Sequence, residues 1–347
     1  MHCSLAVAHP MSKIDIVMGV RQEGEFLAGT LADIIAQESD LLGDVIVALA
    51  PSSDGTRDVL DDAASGILEG RLQVIDNEKA WVAVGLNLAL SLSSAQFVAR
   101  VDGHCSIPAN FLTGLMGPMI RDPKIAYCGP RMLTGDGAGA RAAGIAAAME
   151  SPLGVGGGNF RLKQESGYVA TVLLGIYRRA ALDAVGHFDE RLQRNQDDEL
   201  HDRLRAAGYR IWQEVSVEGT YYPRRTLWAL FRQYHGYGWW KFFAATHAGT
   251  ELRPKHVVPA TLVTGLLVTA LITPISVWPL MLSMAAYATV LCLQAVVGWK
   301  SSRRVGVGLW SAVASAVMHV AYGLGFLASM LEGLASRLRW GTSGEPR

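Results

Sequence analysis

Between Val257 and Gly298 the chain runs for 42 residues without one Asp, Glu, Lys, Arg or His. A bilayer core takes about 20 apolar residues per helix, so this run predicts two membrane spans, with the turn near Pro274 and Pro279. A second run, Val305–Leu331, has only His319 as an ionisable residue and predicts a third apolar segment, either crossing or re-entrant. Between the two runs lies the short basic stretch Trp299-Lys300-Ser301-Ser302-Arg303-Arg304. Positive loops stay on the cytoplasmic side, so two spans out and back put this loop and residues 1–256 in the cytoplasm. A third crossing would place Arg337 and Arg339 outside, against the same tendency. The other reading, a buried helical hairpin in a soluble protein, lacks an apolar remainder to cover it.

Charge divides the chain at the same place. The whole sequence sums to zero, but from Val257 onward six basic residues stand against two acidic ones, and before it 25 stand against 29. The first part is thus at −4 and the tail at +4. Neither carries the concentrated Lys/Arg excess that phosphate contacts require, which argues against a nucleic-acid partner. Half the residues are hydrophobic, which excludes general disorder. Cys3, Cys105, Cys128 and Cys292 are scattered, which fits a reducing compartment and offers no zinc spacing. No cationic stretch with a long apolar core opens the chain, so no signal peptide is expected. Met11 reads as a plausible start, and residues 1–12 as an extension.

The region before Val257 alternates strand and helix. Strands are expected at Ile14–Val20, Asp44–Ala50, Leu72–Ile75 and Gln96–Val101, with helices over about Glu25–Gln37 and Lys79–Ser93. Such alternation predicts an α/β fold with a mostly parallel sheet covered on both faces. Ligands then bind at the carboxyl ends of the strands. Three polar clusters fall there: Arg21-Gln22-Glu23, Ser52–Thr56 and Asp102-Gly103-His104. Thr134–Gly167 is rich in Gly and Ala; it reads as a flexible loop or as a loop that closes over substrate. Gly156-Gly157-Gly158-Asn159 lacks the Lys-Ser/Thr of a phosphate-binding loop.

Strand alternation turns Asp102 and His104 to one side. A divalent ion on a diphosphate needs only one or two protein carboxylates, and imidazole suits Mn²⁺ better than Mg²⁺. Asn195-Gln196-Asp197-Asp198-Glu199-Leu200 opens a helix that stops at Gly208, with Asn195 as N-cap. On a helical wheel centred on Leu200, Leu204 and Ala207, Asp197 lies about 50° off centre, Glu199 about 110° and Asp198 about 150°. Asp197 is therefore the carboxylate best placed to point into a cleft, and Asp198 should face water or a cation. Acidic residues at a helix N-terminus also need no more than the dipole to explain them. Trp228–Phe243 interleaves aromatics with Arg232, Gln233, His235 and Lys241, which suits an interfacial helix with rings at headgroup depth; core aromatics are the alternative.

Taken together, the chain from Lys13 to about Gly333 resembles the family 2 glycosyltransferases, inverting nucleotide-sugar enzymes of GT-A fold, and within them the ExoA-type membrane-anchored exopolysaccharide branch. The residues that carry the resemblance are IDIVMGVRQEGEFLAGTL, SSDGT, RVDGH, the stretch GIYRRAALDAVGHFDERLQRNQDDELHDRLRAAGYRIW, YYPR, RQYHGYGWW and HVAYGLGF. It implies a GT-A catalytic domain over 13–225, an aromatic interfacial segment over 226–256, two to three membrane helices over 257–334 and a polar tail over 335–347. It also implies Mn²⁺ or Mg²⁺ at Asp102 and His104, with Asp197 as catalytic base. Nucleotide-sugar contacts are expected from Val20, Arg21, Glu23, Asp54, Lys79 and Asp102. Acceptor contacts are expected from Gln196, Asp198, Glu199, Arg224, Gln233 and Trp239. The partners implied are a nucleotide sugar (a UDP-sugar as the usual one), a polyprenyl-diphosphate-linked saccharide and membrane lipids. Two departures stand out. The Asp that commonly opens the family's DGGSTDGT-like stretch falls at Leu49, and Gln233-Tyr234-His235-Gly236-Tyr237 replaces the Gln-x-x-Arg-Trp of processive synthases. The second favours one sugar per acceptor. A polyprenyl-phosphate glycosyl synthase and a non-catalytic membrane scaffold remain the rival readings.

Overall fold

The structure is a computed structural model that describes residues 13–135, 139–155, 162, 164–223 and 226–340. Arg224, the Gly156–Asn159 stretch and the ends 1–12 and 341–347 lie outside the described residues. The described residues divide into two compact units that interleave along the sequence: those within 1–133, 163–191 and 203–221 in one, and those within 134–162, 192–202 and 222–347 in the other.

The first unit is built on β1 (Ile14–Val20), β2 (Leu42–Leu49), β3 (Leu72–Asp76) and β4 (Phe97–Arg100). These pair in parallel in the order β3-β2-β1-β4, with Val20 opposite Leu49 and Val17 opposite Arg100. Residues of β1 and β2 are almost all buried, as expected of central strands covered on both faces, which read as apolar runs rather than alternations. The edge strand β3 is largely exposed. The crossovers are α1 (Leu27–Ile35), α2 (Thr56–Ser65) and α3 (Val82–Leu92). Ile14, Ile16, Met18, Val45, Val47 and Ala99 sit at the centre of the core.

Beyond β4 the sheet turns antiparallel. β5 (Cys105–Ser106), β6 (Ile125–Thr134), β7 (Gly167–Val169), β8 (Gly175–Arg178) and β9 (Arg210–Tyr221) complete it, with α4 (Phe111–Arg121) and α7 (Arg179–Val185) packed alongside. β8 lies between β4 and β6 and runs against both. The sheet is thus mixed. It is parallel only where the α/β alternation was legible.

In the second unit α10 (Pro254–Ile272), α11 (Trp278–Ser302) and α12 (Val305–Trp340) are each long and apolar enough to cross a membrane. The turn between the first two falls at residues 273–277, beside the expected prolines. Leu271, Ile275, Leu282, Val305 and Leu331 are exposed, an apolar belt larger than water tolerates on a soluble protein. α9 (Leu227–His247), capped by the Thr226 hydroxyl on the Ala229 N–H at 3.2 Å, packs against α12. Glycines set the closeness of approach: a Cβ on Gly238 would meet the Tyr322 carbonyl, and one on Gly325 the His235 carbonyl. Small residues at helix crossings are how apolar helices gain contact without a hydrophobic driving force.

The Gly/Ala-rich middle differs from the expected loop. Ala140–Met149 (α5) and Pro152–Val155 (α6) are helical, and α5 packs against α12. Alanine favours helix locally, and Gly144 lets α5 approach the Trp310 backbone, where a Cβ would collide.

Replacing Gly238 by Val is expected to wedge α9 off α12 and destabilise the full-length protein by about 1–3 kcal/mol. Thermal unfolding in detergent, compared with Gly265→Val on an open helix face, measures it.

Candidate active site

Peptide groups at the carboxyl edge of a parallel sheet lose their ladder partners and need others. Here two loops supply each other. After β1, Gln22 takes φ 55° and the chain turns over the loop that follows β2. The Gln22 N–H donates to Ser52 Oγ at 3.0 Å, the Glu23 N–H to Thr56 Oγ1 at 2.9 Å and the Gly24 N–H to Asp54 Oδ2 at 2.9 Å. The other Asp54 oxygen accepts from the Thr56 N–H at 3.2 Å and from its hydroxyl. A Cβ on Gly24 would strike the Asp54 carbonyl. The Thr56 hydroxyl, and then the Gly24 N–H, hold the Asp54 carboxyl below its ordinary pKa. Asp54 is thus the staple of the edge, and Val20, buried at 2% exposure, ends the strand beneath it. Arg21 is exposed. Lys79, in the loop after β3, points to solvent, with Nζ 3.8 Å from Glu190.

The third cluster sits at the end of β4 in the same unit. Arg100, 5% exposed, lays its guanidinium on the Asp102 carboxylate at 3.1 and 3.5 Å. His104 Nδ1 lies 2.9 Å from Glu23 Oε1, and its ring meets Tyr221 edge-on at 5.6 Å. The Thr30 hydroxyl bridges the carbonyls of Gly103 (3.1 Å) and Cys105 (2.7 Å) and fixes the turn between them. A carboxylate on one ring nitrogen fixes the tautomer and orients the other nitrogen, the usual support of a metal-binding histidine. Glu23, expected to touch nucleotide, is thus placed to orient His104. Among the described residues no group of three His, Cys, Asp or Glu side chains is arranged to hold a metal. Asp102 and His104 together offer one carboxylate and one imidazole, a donor set that suits an ion completed by diphosphate and water.

The acidic helix α8 (Gln196–Ala206) begins in the second unit. Asn195, the residue before α8 as expected, takes φ 61°; its carbonyl accepts from the Glu199 N–H at 3.1 Å and its side-chain amide donates to the Tyr237 carbonyl at 3.3 Å, tying the helix start to α9. Leu200 and Leu204 are buried as expected, but so are Gln196, Glu199 and His201, whereas Ala207 is exposed. A single inward stripe assumes water on the far side, whereas here α9 meets the helix start at Asn195 and Asp198. Asp198 does face a cation. Lys241 Nζ, on a residue 4% exposed, lies 3.2 Å from Asp198 Oδ2. Burial pushes the Asp198 carboxyl up, but Lys241 overrides it and leaves it below the ordinary value. Asp197 is half-buried. Gln233 is buried, with Nε2 donating to the Tyr237 hydroxyl at 2.9 Å, and Trp239 stacks on Phe243 at 5.2 Å. Lys241, Arg100, Thr30 and Tyr221 carried no role in the sequence reading. Lys241 had a signal, as the lone lysine inside an aromatic helix.

Comparison with known proteins bears on the family and the fold. Residues 15–186 match the family described as Glycosyl transferase family 2. The chain is 28% identical over 328 residues to the succinoglycan biosynthesis protein ExoA of Rhizobium meliloti (strain 1021), covering 91% of this chain and 94% of that one. Its fold is similar to that of the mannosyltransferase PcManGT from Pyrobaculum calidifontis, solved with GDP-Man and Mn²⁺. The TM-score is 0.57 at 17% identity, over 92% of this chain and 88% of that one.

Replacing Asp198 by Asn removes the partner of a buried ammonium. It should cost about 1–2 kcal/mol at neutral pH once the one-third exposure of Asp198 is allowed for. Because the folded carboxyl is depressed, its contribution is present above the unfolded value of about 3.9. It disappears as pH falls through the lower folded value. The wild-type advantage over Asp198→Asn in thermal unfolding should therefore hold from pH 7 to 5 and shrink below pH 4.

Proposed function

Because the chain belongs to glycosyl transferase family 2 through residues 15–186, we propose that this glycosyltransferase moves one sugar from a nucleotide-diphosphate sugar to a hydroxyl of a lipid-linked saccharide, in exopolysaccharide or envelope-glycan synthesis. The observation that carries the reading is a family 2 domain in one chain with three helices long and apolar enough to cross a bilayer. A soluble acceptor would need no such anchor. An acceptor on a polyprenyl diphosphate is confined to the membrane surface. The similarity to ExoA over nearly the whole of both chains supports the exopolysaccharide setting.

In this reading 13–225 is the catalytic region, 226–256 lies at the interface and 257–334 is in the membrane, with the Lys300–Arg304 loop holding the catalytic region on the cytoplasmic side. The donor is a UDP-sugar, with Leu49 standing where relatives carry an acidic base contact. Asp54 shapes the nucleotide loop through its bonds to Gly24 and Thr56, and Arg21 and Lys79 bring positive charge toward the phosphates.

Asp102 and His104 would hold Mn²⁺ or Mg²⁺. The mannosyltransferase of similar fold is complexed with Mn²⁺. When bound, such an ion offsets the negative charge that develops on the departing nucleotide diphosphate. Glu23 keeps the His104 ring oriented, and Arg100 fixes the Asp102 carboxylate. The reaction is an inverting single displacement: Asp197 takes the proton of the acceptor hydroxyl as its oxygen attacks the anomeric carbon. Gln196, Asp198, Glu199, Gln233 and Trp239 shape the acceptor side, and Arg224 is proposed to grip the acceptor diphosphate. A general base contributes about 10²–10⁴-fold.

Asp197→Asn should therefore lower sugar transfer by about 10²–10⁴-fold with the donor KM little changed. Transfer assays in membranes measure this, and the anomeric configuration of the product reports inversion. Near-normal transfer by Asp197→Asn would reject the base. It would favour an acceptor that needs no deprotonation, such as a polyprenyl phosphate.

A further inference from the structure

α5 and α6 are too short to count as spans, yet they follow α12 and α11 in an order that tracks distance along them. Next to the start of α12, a Cβ on Gly306 would meet Ala140 at 3.3 Å. One turn further, Gly144 lies against Trp310 and Ser311. The Ser151 hydroxyl then donates to Gln294 Oε1 at 2.6 Å. Deepest of all, His319 Nε2 donates to the Leu153 carbonyl at 2.8 Å, while its Nδ1 accepts from the Tyr287 hydroxyl at 3.1 Å.

The depth of these contacts follows from helix geometry. Trp278 and Trp299 of α11 lie about 31 Å apart at 1.5 Å per residue, close to the thickness of a hydrocarbon core. Tryptophans at that separation mark the two interfaces. Counted inward from Trp299, Gln294 is about 7 Å deep and Tyr287 about 18 Å.

Polar side chains at such depth are costly and need partners. Irregular backbone at such depth needs them too, since lipid offers none. The short helix α6 leaves backbone groups without helical partners, and these are supplied. The Leu153 N–H donates to Ser151 Oγ at 3.2 Å, the Gly154 N–H to the Ser151 carbonyl at 3.0 Å, and the Leu153 carbonyl accepts from His319. Gln294 is fully buried, and Ser151 is 1% exposed. The segment carries two exposed charges. Arg141 adjoins the Gly306 end, and the Glu150 carboxylate, at the level of Gln294, accepts from the Thr134 N–H at 2.7 Å.

We propose that Ala140–Val155 enters the bilayer core from the Lys300–Arg304 side as a membrane-inserted segment, held at depth by Gln294, Tyr287 and His319. Its partner is lipid hydrocarbon. The proposal rests on α11 crossing the bilayer in the reading given under the proposed function. It also explains why the apolar helices keep polar residues, which hold Ser151 and the Leu153 carbonyl where water is absent.

Spin labels on the full-length protein in liposomes test this. In a Cys3→Ser, Cys292→Ser background the buried Cys105 and Cys128 stay unlabelled. Single labels are then placed at Pro152→Cys, at Met284→Cys in α11 and at Asp61→Cys in α2, all exposed positions. Collision with oxygen, which partitions into lipid, is compared with collision with a water-soluble nickel chelate. The Pro152 label should give an oxygen-to-nickel ratio within about twofold of Met284 and about tenfold above Asp61. His319→Leu, which orphans the Leu153 carbonyl, should shift the Pro152 label toward nickel, and His319→Gln should restore it in part. A lipid-like Met284 label with a water-like Pro152 label overturns the insertion alone. A water-like Met284 label overturns the span and the insertion together.

Discussion

The candidate site depends on a short set of hydrogen bonds at the carboxyl edge of the parallel strands, where the Asp54 carboxylate accepts from the Gly24 and Thr56 N–H groups. Two loops that follow separate strands would otherwise each carry unsatisfied donors. By satisfying one another they become a single surface. That surface fixes Glu23, whose own N–H is tied to Thr56, and Glu23 in turn orients His104. The same rule holds at the end of β4, where a buried arginine is placed against Asp102 rather than left to bury its charge alone.

A second constraint acts on the other unit. Apolar helices gain nothing from leaving water once they are in lipid, so close packing and internal hydrogen bonds must hold them together. Gly238, Gly325 and Gly298 provide the packing. Ser311, bonded to the carbonyls of Gln294 and Gly308 at 3.2 and 2.7 Å, provides an internal bond. Lys241 and Asp198 show the same logic for charge. An ammonium in an aromatic helix is retained because a carboxylate at the start of α8 meets it. The acidic cluster therefore has an architectural member, Asp198, next to the residue proposed to act on the acceptor.

What was legible in the sequence was whatever a local period or a strong boundary announces. β1 matches its expected limits because a continuous apolar run ends at a polar cluster, and the α10–α11 turn falls beside two prolines. The antiparallel half was not legible. β7 and β8 have three and four residues, too few to show a period, and they exist because neighbouring strands offer open edges. Ala140–Met149 was misread as a loop because glycine and alanine carry little amphipathic signal, and its position is set by α12 far along the chain. Asn195 holds the expected position before α8, but the bond from its amide to the Tyr237 carbonyl depends on a helix more than thirty residues further on. Glu23 could be placed near a nucleotide by its position after β1. Only the folded turn at Gly103, where a Cβ would press on the Glu23 side chain, brings it to His104.

The central claim is that a nucleotide-sugar enzyme works on an acceptor confined to the membrane. The most direct measurement incubates the full-length protein in liposomes with Mn²⁺, a panel of radiolabelled nucleotide sugars and lipid-linked saccharides extracted from producing cells, then follows label into the organic phase. The account predicts that one donor labels the organic phase only when the lipid-linked saccharide is present, and that mild acid, which cleaves allylic diphosphates, returns the label to water. Label that stays wholly in the aqueous phase with every donor, or that reaches the organic phase on a bare polyprenyl phosphate alone, would contradict it.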